Sequence, residues 1–233
     1  MSQKNLDIKV LNQEQGDFDL SFKLIVIGDS GVGKSCLSIK ATKNTFDSIY
    51  SPTIGLEFMT FYIRIGEVNI KLQIWDTCGQ EVYRSLISSF YHNSSLALLV
   101  YSISDRNSFI NLDSWLNEVR TQGNPDINLF LIGNKVDLEN NRVITKDMAQ
   151  EFAENNNIKT FFETSAKTGF NAQNVFIEAA KLLYNQHLAY KDRLSRPDSL
   201  AHLNSDMNQN IIIEENQEEE EESNRQNKRK KCC

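Results

Sequence analysis

The segment from Gly28 to Ser35 constrains the fold of this chain more than any other. Its sequence, GDSGVGKS, has the spacing G-x-x-x-x-G-K-S, and it lies between the apolar run Leu24–Ile27 and a stretch able to form a helix. Glycines let backbone N–H groups curl around an anion, and a helix N-terminus directs partial positive charge at it. Lys34 is suited to neutralise β- and γ-phosphates, and the Ser35 hydroxyl is suited to ligate Mg²⁺. The sequence therefore predicts a strand–loop–helix unit that binds phosphates.

Composition and charge limit the class of protein. With 233 residues, 40% of them apolar, the chain can hold one domain of ordinary size plus tails, or two small domains. The longest apolar run, Leu96–Tyr101, is too short to span a bilayer, residues 1–20 lack the apolar stretch of a secretory signal, and Ser2 excludes N-myristoylation. A net charge of −6 argues against a dedicated nucleic-acid binder. The four cysteines have neither metal-ligand nor disulfide spacing, which fits a reducing compartment.

Strand and helix patterns alternate through the middle of the chain. Residues 68–74 alternate apolar with polar, and a turn at Gly66–Glu67 joins them to a strand over about 58–65, which predicts an antiparallel hairpin at a sheet edge. The runs Leu96–Tyr101 and Leu129–Ile132 are continuously apolar, as central parallel strands are. Apolar spacing over residues 109–119 and 175–183 predicts helices. We therefore expect a doubly wound α/β domain with its ligand site at the carboxyl ends of the strands.

Composition also divides the chain into three parts. Residues 1–20 are polar and irregular, which predicts a disordered N-terminal arm, and residues 21–190 form the predicted domain. Residues 191–233 are rich in Asn, Gln and Ser, and they carry an acidic run at Glu218–Glu222 and a basic cluster at Lys228–Lys231. Such a composition cannot bury enough apolar surface to order itself, so we expect a disordered tail.

Two further segments supply groups that phosphate chemistry needs. In WDTCGQE, which follows a predicted strand, Asp76 is suited to hold Mg²⁺ through water. Gly79 allows the backbone to approach a γ-phosphate, and Gln80 is suited to position an attacking water. Thr53, in YSPTIG, lies between the first helix and the edge hairpin, where its hydroxyl would complete the Mg²⁺ shell when a γ-phosphate is present.

Two motifs at the ends of consecutive predicted strands indicate that the chain recognises a guanine base. In NKVD, the Asp137 carboxylate can accept hydrogen bonds from N1 and N2 of guanine, which adenine does not offer, and the stem of Lys135 can lie along the ring. The segment Thr164–Lys167, TSAK, can supply a backbone N–H to guanine O6. A metabolic kinase or ATPase is disfavoured by Asp137 and by the absence of a second-substrate domain.

The order GDSGVGKS, PTIG, WDTCGQE, GNKVD and TSAK resembles the Ras superfamily of small GTPases over about residues 22–190. Within it the chain is most similar to the Rab family, on Ile54–Phe58, Lys71–Trp75 and the terminal pair Cys232–Cys233. The patterns and the resemblance predict a P-loop NTPase fold: a doubly wound, mostly parallel six-stranded sheet with one antiparallel edge strand, flanked by about five helices. The resemblance implies GTP or GDP as bound nucleotide and Mg²⁺ as cofactor.

The resemblance also assigns roles to individual residues. The phosphates are held by Gly31, Val32, Gly33, Lys34, Ser35 and Cys36, with Gly79 at the γ-phosphate. Phe46 covers the base. Mg²⁺ is held by Ser35, Thr53 and Asp76. Guanine is read by Asn134, Lys135, Asp137, Ser165, Ala166 and Lys167. The catalytic residues are Gln80 and Lys34. The exposed surface that effectors contact is formed by Phe58, Trp75 and Phe90.

Two functional hypotheses follow, and Cys78 separates them. The first is a GTP-regulated membrane switch in vesicle trafficking, which hydrolyses GTP slowly, on the order of 10⁻⁴ s⁻¹, until an activating partner supplies an arginine. The second is a GTP-gated membrane scaffold with little intrinsic hydrolysis, because Cys78 stands beside the γ-phosphate where the family usually carries Ala.

The tail is expected to attach the protein to a membrane. Cys232 and Cys233 resemble a double geranylgeranylation site, and two lipid chains anchor stably at about 0.8 kcal/mol per buried CH₂. The cluster Lys228–Lys231 adds roughly 1 kcal/mol for each charge near an anionic leaflet. The resemblance implies effectors on the switch face, an exchange factor, a GTPase-activating protein, a prenylation escort and a GDP-dissociation inhibitor as partners. We expect a monomer without a nucleic-acid partner, on the cytoplasmic face of an intracellular membrane and cycling with the cytosol.

Overall fold

The computed structural model describes residues 7–11, 17–47, 56–77, 90–91 and 93–195. They form a seven-stranded sheet with five α-helices in the described ranges. The strands are β1 Ile8–Leu11, β2 Leu20–Ile27, β3 Leu56–Ile65, β4 Val68–Thr77, β5 Leu96–Ser102, β6 Asn128–Asn134 and β7 Thr160–Glu163. The helices are α1 Lys34–Lys43, α2 Arg106–Ile110, α3 Leu112–Gln122, α4 Lys146–Asn155 and α5 Ala172–Leu194, with a 3₁₀ segment at Val136–Asn141. None of these helices is both long and apolar enough to cross a membrane.

The sheet is mostly parallel, and its central strands β2 and β5 are buried on both faces, as predicted. Its strand order is β1-β3-β4-β2-β5-β6-β7, and the strands from β4 to β7 run parallel. Alternate residues of β2 enter two different cores: Leu24 and Val26 pack with α1 and α5, whereas Ile25 and Ile27 pack with α3 and α4. Continuous apolar sequence in β2 and β5 therefore reflects burial on both sides.

The predicted hairpin is confirmed. Strands β3 and β4 pair antiparallel from Leu56↔Thr77 to Ile65↔Val68. The turn between them places Gly66 at φ 61°, a left-handed conformation that glycine adopts without a Cβ penalty.

The structure adds one strand to the six predicted and corrects the N-terminal arm. Residues Ile8–Leu11 were expected to be disordered, but they form β1, which pairs antiparallel with β3 from Ile8↔Ile65 to Leu11↔Tyr62. Ile8 and Val10 pack against the core, and Leu11 is 9% exposed. The antiparallel strand β3 is therefore not the outermost strand, because β1 covers part of its edge.

The helix predicted over residues 109–119 is divided. Helix α2 ends at Ile110 and α3 begins at Leu112, with Asn111 between them. The Asn111 backbone closes α2 through its N–H, which donates to the Asn107 carbonyl, and begins α3 through its own carbonyl, which accepts from Ser114 and Trp115. Leu112, Leu116 and Val119 lie on the buried face that the spacing predicted, Phe109 is only half-buried, and the structure adds the fully buried Trp115 to that face. At the other end of the domain, α5 continues past the expected boundary at residue 190 to Leu194.

Candidate nucleotide-binding site

The loop between β2 and α1 is shaped to accept an anion. Helix α1 begins at Lys34 after Gly33, with neither a side-chain cap nor an acidic residue in its first turn. No carboxylate of that turn therefore competes with an anion for the helix N-terminus. Gly33 has φ 96°, and a Cβ on it would lie 2.5 Å from the Asn134 amide nitrogen. Glycine is needed there for both the backbone conformation and the close approach of Asn134.

Lys34 is held inside this loop. Its side chain is 5% exposed, and its ammonium group donates to the Gly28 carbonyl at 2.7 Å and to the Asp29 carbonyl at 2.8 Å. The loop thus fixes a buried positive charge at the N-terminus of α1, where phosphates of a nucleotide bind.

Ser35 and Asp76 fit a magnesium ion. Asp76, near the end of β4, is fully buried, and neither carboxylate oxygen has a hydrogen-bond partner among the described residues. Burial raises the pKa of Asp76 from 3.8 to about 6, and the neighbouring Ser35 hydroxyl and Lys34 ammonium oppose that rise. Burial of this carboxylate is costly because Ser35 and Lys34 offset it only in part, and the Ser35 hydroxyl is a second hard-oxygen donor of the kind that Mg²⁺ prefers.

Asp76 is expected to lower stability when metal and nucleotide are absent. A pKa rise from 3.8 to about 6 corresponds to roughly 3 kcal/mol. Because the folded-state pKa lies above the unfolded one, the cost is present above about pH 6 and disappears as pH falls toward about 4. We expect Asp76→Asn to raise the free energy of unfolding by up to about 3 kcal/mol near neutral pH, with no gain near pH 4.

Urea unfolding in EDTA between about pH 4 and about pH 8 checks this expectation. The exposed Asp113 of α3 gives a matched control as Asp113→Asn. With Mg²⁺ and GDP added, wild type is expected to become the more stable protein, because the variant lacks a metal ligand. A gain that did not vary with pH would contradict the assignment of the cost to the ionised carboxylate.

Asn134, the last residue of β6, bonds the phosphate loop to the second base motif. Its side chain is buried, and its amide nitrogen donates to the carbonyls of Val32 at 2.9 Å and Gly33 at 3.4 Å. Its amide oxygen accepts from the Thr164 hydroxyl at 3.1 Å and from the Ala166 backbone N–H at 3.3 Å. One side chain therefore sets the spacing between the loop that binds phosphates and the segment expected to read guanine.

The other residues that the sequence predicts to read guanine lie around Asn134. The Lys135 ammonium donates to the Gly31 carbonyl at 2.5 Å, so that its stem runs back toward the phosphate loop. Asp137 is exposed, and its Oδ1 accepts from the Ser165 hydroxyl at 2.6 Å. Ser165 and Ala166 are buried, whereas Lys167 is exposed. Phosphate loop and base motifs form one bonded unit at the carboxyl ends of β2, β6 and β7.

Comparison with known families decides the class of this site. The Ras family model matches residues 23–185, well over half of the chain. The chain belongs to the Ras family. It is therefore a small GTPase of the Ras superfamily, a group that binds GTP or GDP with Mg²⁺, hydrolyses GTP, and interacts with effectors, exchange factors and activating proteins.

Two further residues predicted for this Ras-family site, Phe46 and Cys36, lie in or next to α1. Phe46 lies just beyond α1 and is 39% exposed, and its role in covering the base stays a prediction. Cys36 is half-buried in the first turn of α1. Burial raises the pKa of the Cys36 thiol, so the thiol remains protonated at neutral pH.

Several residues predicted for the Ras-family site fall outside the described ranges, and their roles stay predictions. These residues are Thr53, Cys78, Gly79, Gln80, Cys232 and Cys233.

The three aromatic residues predicted to contact effectors lie together. Ring centroids are 5.1 Å apart for Phe58 and Trp75, and 4.8 Å apart for Trp75 and Phe90. Phe58 is 49% exposed, which leaves this cluster open to a partner. The structure adds Lys23, whose ammonium lies 5.0 Å from the Trp75 ring and 4.8 Å from the Phe90 ring. Its sequence signature is a lysine interrupting the apolar strand between Phe22 and Leu24.

Proposed function

We propose that this Ras-family protein is a Rab-like GTP/GDP switch that recruits effectors to an intracellular membrane during vesicle trafficking. The observation that carries the proposal is the packed cluster of Phe58, Trp75 and Phe90, in which Phe58 is exposed and Phe58 and Trp75 lie on the paired strands β3 and β4. Strand β4 places Trp75 beside Asp76, so the partner surface and the expected Mg²⁺ ligand are adjacent in one strand. A change at the γ-phosphate is thereby transmitted to a surface that effectors contact.

In the proposed hydrolysis each predicted site residue has a separate role. Lys34 holds positive charge at the phosphates, Gln80 orients a water for in-line attack on the γ-phosphate, and Asp137 selects guanine. Ser35, Asp76 and Thr53 would hold Mg²⁺, which would supply electrostatic stabilisation of charge that develops on the phosphate oxygens. Thr53 and Gly79 would respond to the presence of the γ-phosphate, so that effector binding would depend on GTP.

The proposed membrane attachment rests on the tail sequence. Cys232 and Cys233 would carry two geranylgeranyl groups, and Lys228–Lys231 would add attraction to an anionic cytoplasmic leaflet. Such a protein cycles between membrane and cytosol with a prenylation escort and a GDP-dissociation inhibitor as partners, and acts as a monomer. Mass spectrometry of the C-terminal peptide from cells tests whether both cysteines are lipidated.

Single-turnover GTP hydrolysis distinguishes the switch from a GTP-gated scaffold. We expect slow turnover in wild type, on the order of 10⁻⁴ s⁻¹, loss of turnover in Gln80→Leu, and little change in Cys78→Ala. Negligible wild-type turnover that Cys78→Ala restores would favour the scaffold instead. GTP binding measured on the same samples separates a defect in chemistry from a defect in nucleotide affinity.

A further inference from the structure

We propose that Asp29 is a positioning residue for Lys34, held in place from outside the phosphate loop by the start of helix α3. This inference rests on the nucleotide binding of the Ras family and not on the proposed role in trafficking. Asp29 occupies a variable position within G-x-x-x-x-G-K-S, so the motif itself assigns it no function.

Asp29 is bonded through its main chain and its side chain at once. Its carbonyl accepts from the Lys34 ammonium at 2.8 Å. Its carboxylate accepts from the Trp115 indole N–H at 2.8 Å through Oδ1 and from the Asn111 amide at 2.7 Å through Oδ2. The carbonyl that holds Lys34 is therefore fixed relative to α3.

Helix α3 is a rigid reference for this contact. Trp115 is fully buried and packs in the same core as Ile25 and Ile27 of β2, the strand that leads into the phosphate loop. Asn111 lies one helical turn before Trp115, so both donors lie on one side of the helix start. Hydrogen bonds from two N–H groups to an ionised carboxylate are stronger than bonds between neutral groups.

The hydrogen bonds from Asn111 and Trp115 also hold the negative charge of Asp29 toward α3. A carboxylate within an anion-binding loop repels phosphates, and each donor from α3 binds one of its two oxygens. With the carboxylate held toward α3, Lys34 faces the phosphates without a competing acid from the same loop. The binding energy contributed by the β-phosphate should therefore depend on the bonds between Asp29 and α3.

The experiment measures affinities of GDP and GMP for the full chain in Mg²⁺, by displacement of a fluorescent GDP analogue. Because Lys34 contacts the β-phosphate, Asp29→Ala is expected to weaken GDP about tenfold or more while weakening GMP little. Asp29→Asn keeps an oxygen acceptor for Trp115, so we expect this variant to retain most of the wild-type preference for binding GDP over GMP. The control is Asp113→Ala, which removes an exposed carboxylate from the first turn of α3.

A second variant tests whether α3 acts through Asp29. Trp115→Phe preserves an aromatic ring in the core but removes the indole donor, and it is expected to lower the same preference. If Trp115 acts through Asp29, the double variant should be no weaker than Asp29→Ala alone. Additive losses, or equal losses for GDP and GMP, would overturn the proposal. Thermal unfolding of each variant separates these outcomes from misfolding.

Discussion

Replacing Asn134 with alanine is expected to lower affinity for guanine nucleotides by at least about a hundredfold. The buried Asn134 amide bonds Val32 on one side and Thr164 and Ala166 on the other. Its removal frees the phosphate loop from the base motif and leaves buried groups without their partners. Each such group costs about 1–3 kcal/mol, so the free energy of unfolding should also fall by several kcal/mol.

Calorimetric titration with GDP, together with thermal unfolding, measures both effects. Asn117→Ala is the matched control, because the Asn117 side chain lies exposed on α3 and its backbone carbonyl, which accepts from the Thr121 hydroxyl, is unchanged by the substitution. If Asn134→Ala lowered stability but bound GDP as wild type does, the link between the two motifs would be structural only, and the bonded unit would have no part in affinity.

The elements that could be predicted from the sequence are those whose partners are close or whose pattern is long. The hairpin of β3 and β4 is local, and its turn residue Gly66 is visible in the sequence. The central strands can be predicted from their continuous apolar runs, because both of their faces are covered. The base motifs follow consecutive strands, and parallel strands bring their carboxyl ends to one edge. That is why Asn134 and Thr164 meet although they are distant in sequence.

Strand β1 could not be predicted, because its signal is not local. Four residues with only Ile8, Val10 and Leu11 as apolar members are shorter than a typical strand pattern. Their order comes from pairing with Tyr62–Ile65, more than fifty positions later in the chain. Pairing across such a distance depends on the rest of the sheet being formed, which no window of sequence contains.

The bonds between Asp29 and α3 were missed for a related reason. The apolar spacing over residues 109–119 predicts a buried helix face, which in the structure also holds Trp115, but periodicity describes only the apolar body of a side chain. A buried indole N–H seeks an acceptor, and the acceptor here lies 86 positions earlier in the chain. The same holds for Lys23, whose aromatic partners come from two other segments. Polar contacts across a fold follow from topology and packing together.

Asp137→Asn is expected to shift base preference from guanine to xanthine. The Ser165 hydroxyl binds Oδ1 of Asp137 and orients an otherwise exposed carboxylate. The Asp137 carboxylate can accept from both N1–H and the N2 amine of guanine. An amide keeps one oxygen acceptor for N1–H and replaces the other oxygen with an NH₂ donor. That donor matches the carbonyl oxygen that xanthine carries in place of the guanine amine. Because two charge-assisted hydrogen bonds are lost, we expect GTP affinity to fall by about 10²–10⁴-fold and the affinity for xanthosine triphosphate to rise.

Competition of GTP, xanthosine triphosphate and ATP against a fluorescent guanine nucleotide measures this shift. Asp126→Asn, an exposed change in the loop before β6, controls for altered surface charge. Because the amide oxygen of the variant can still accept from Ser165, the loop should keep its conformation, and the phosphate contacts should be preserved. The fall in GTP affinity should therefore be accompanied by a rise in the affinity for xanthosine triphosphate and not by weaker binding of every nucleotide. Unchanged guanine affinity would mean that Asp137 orients Ser165 but does not read the base.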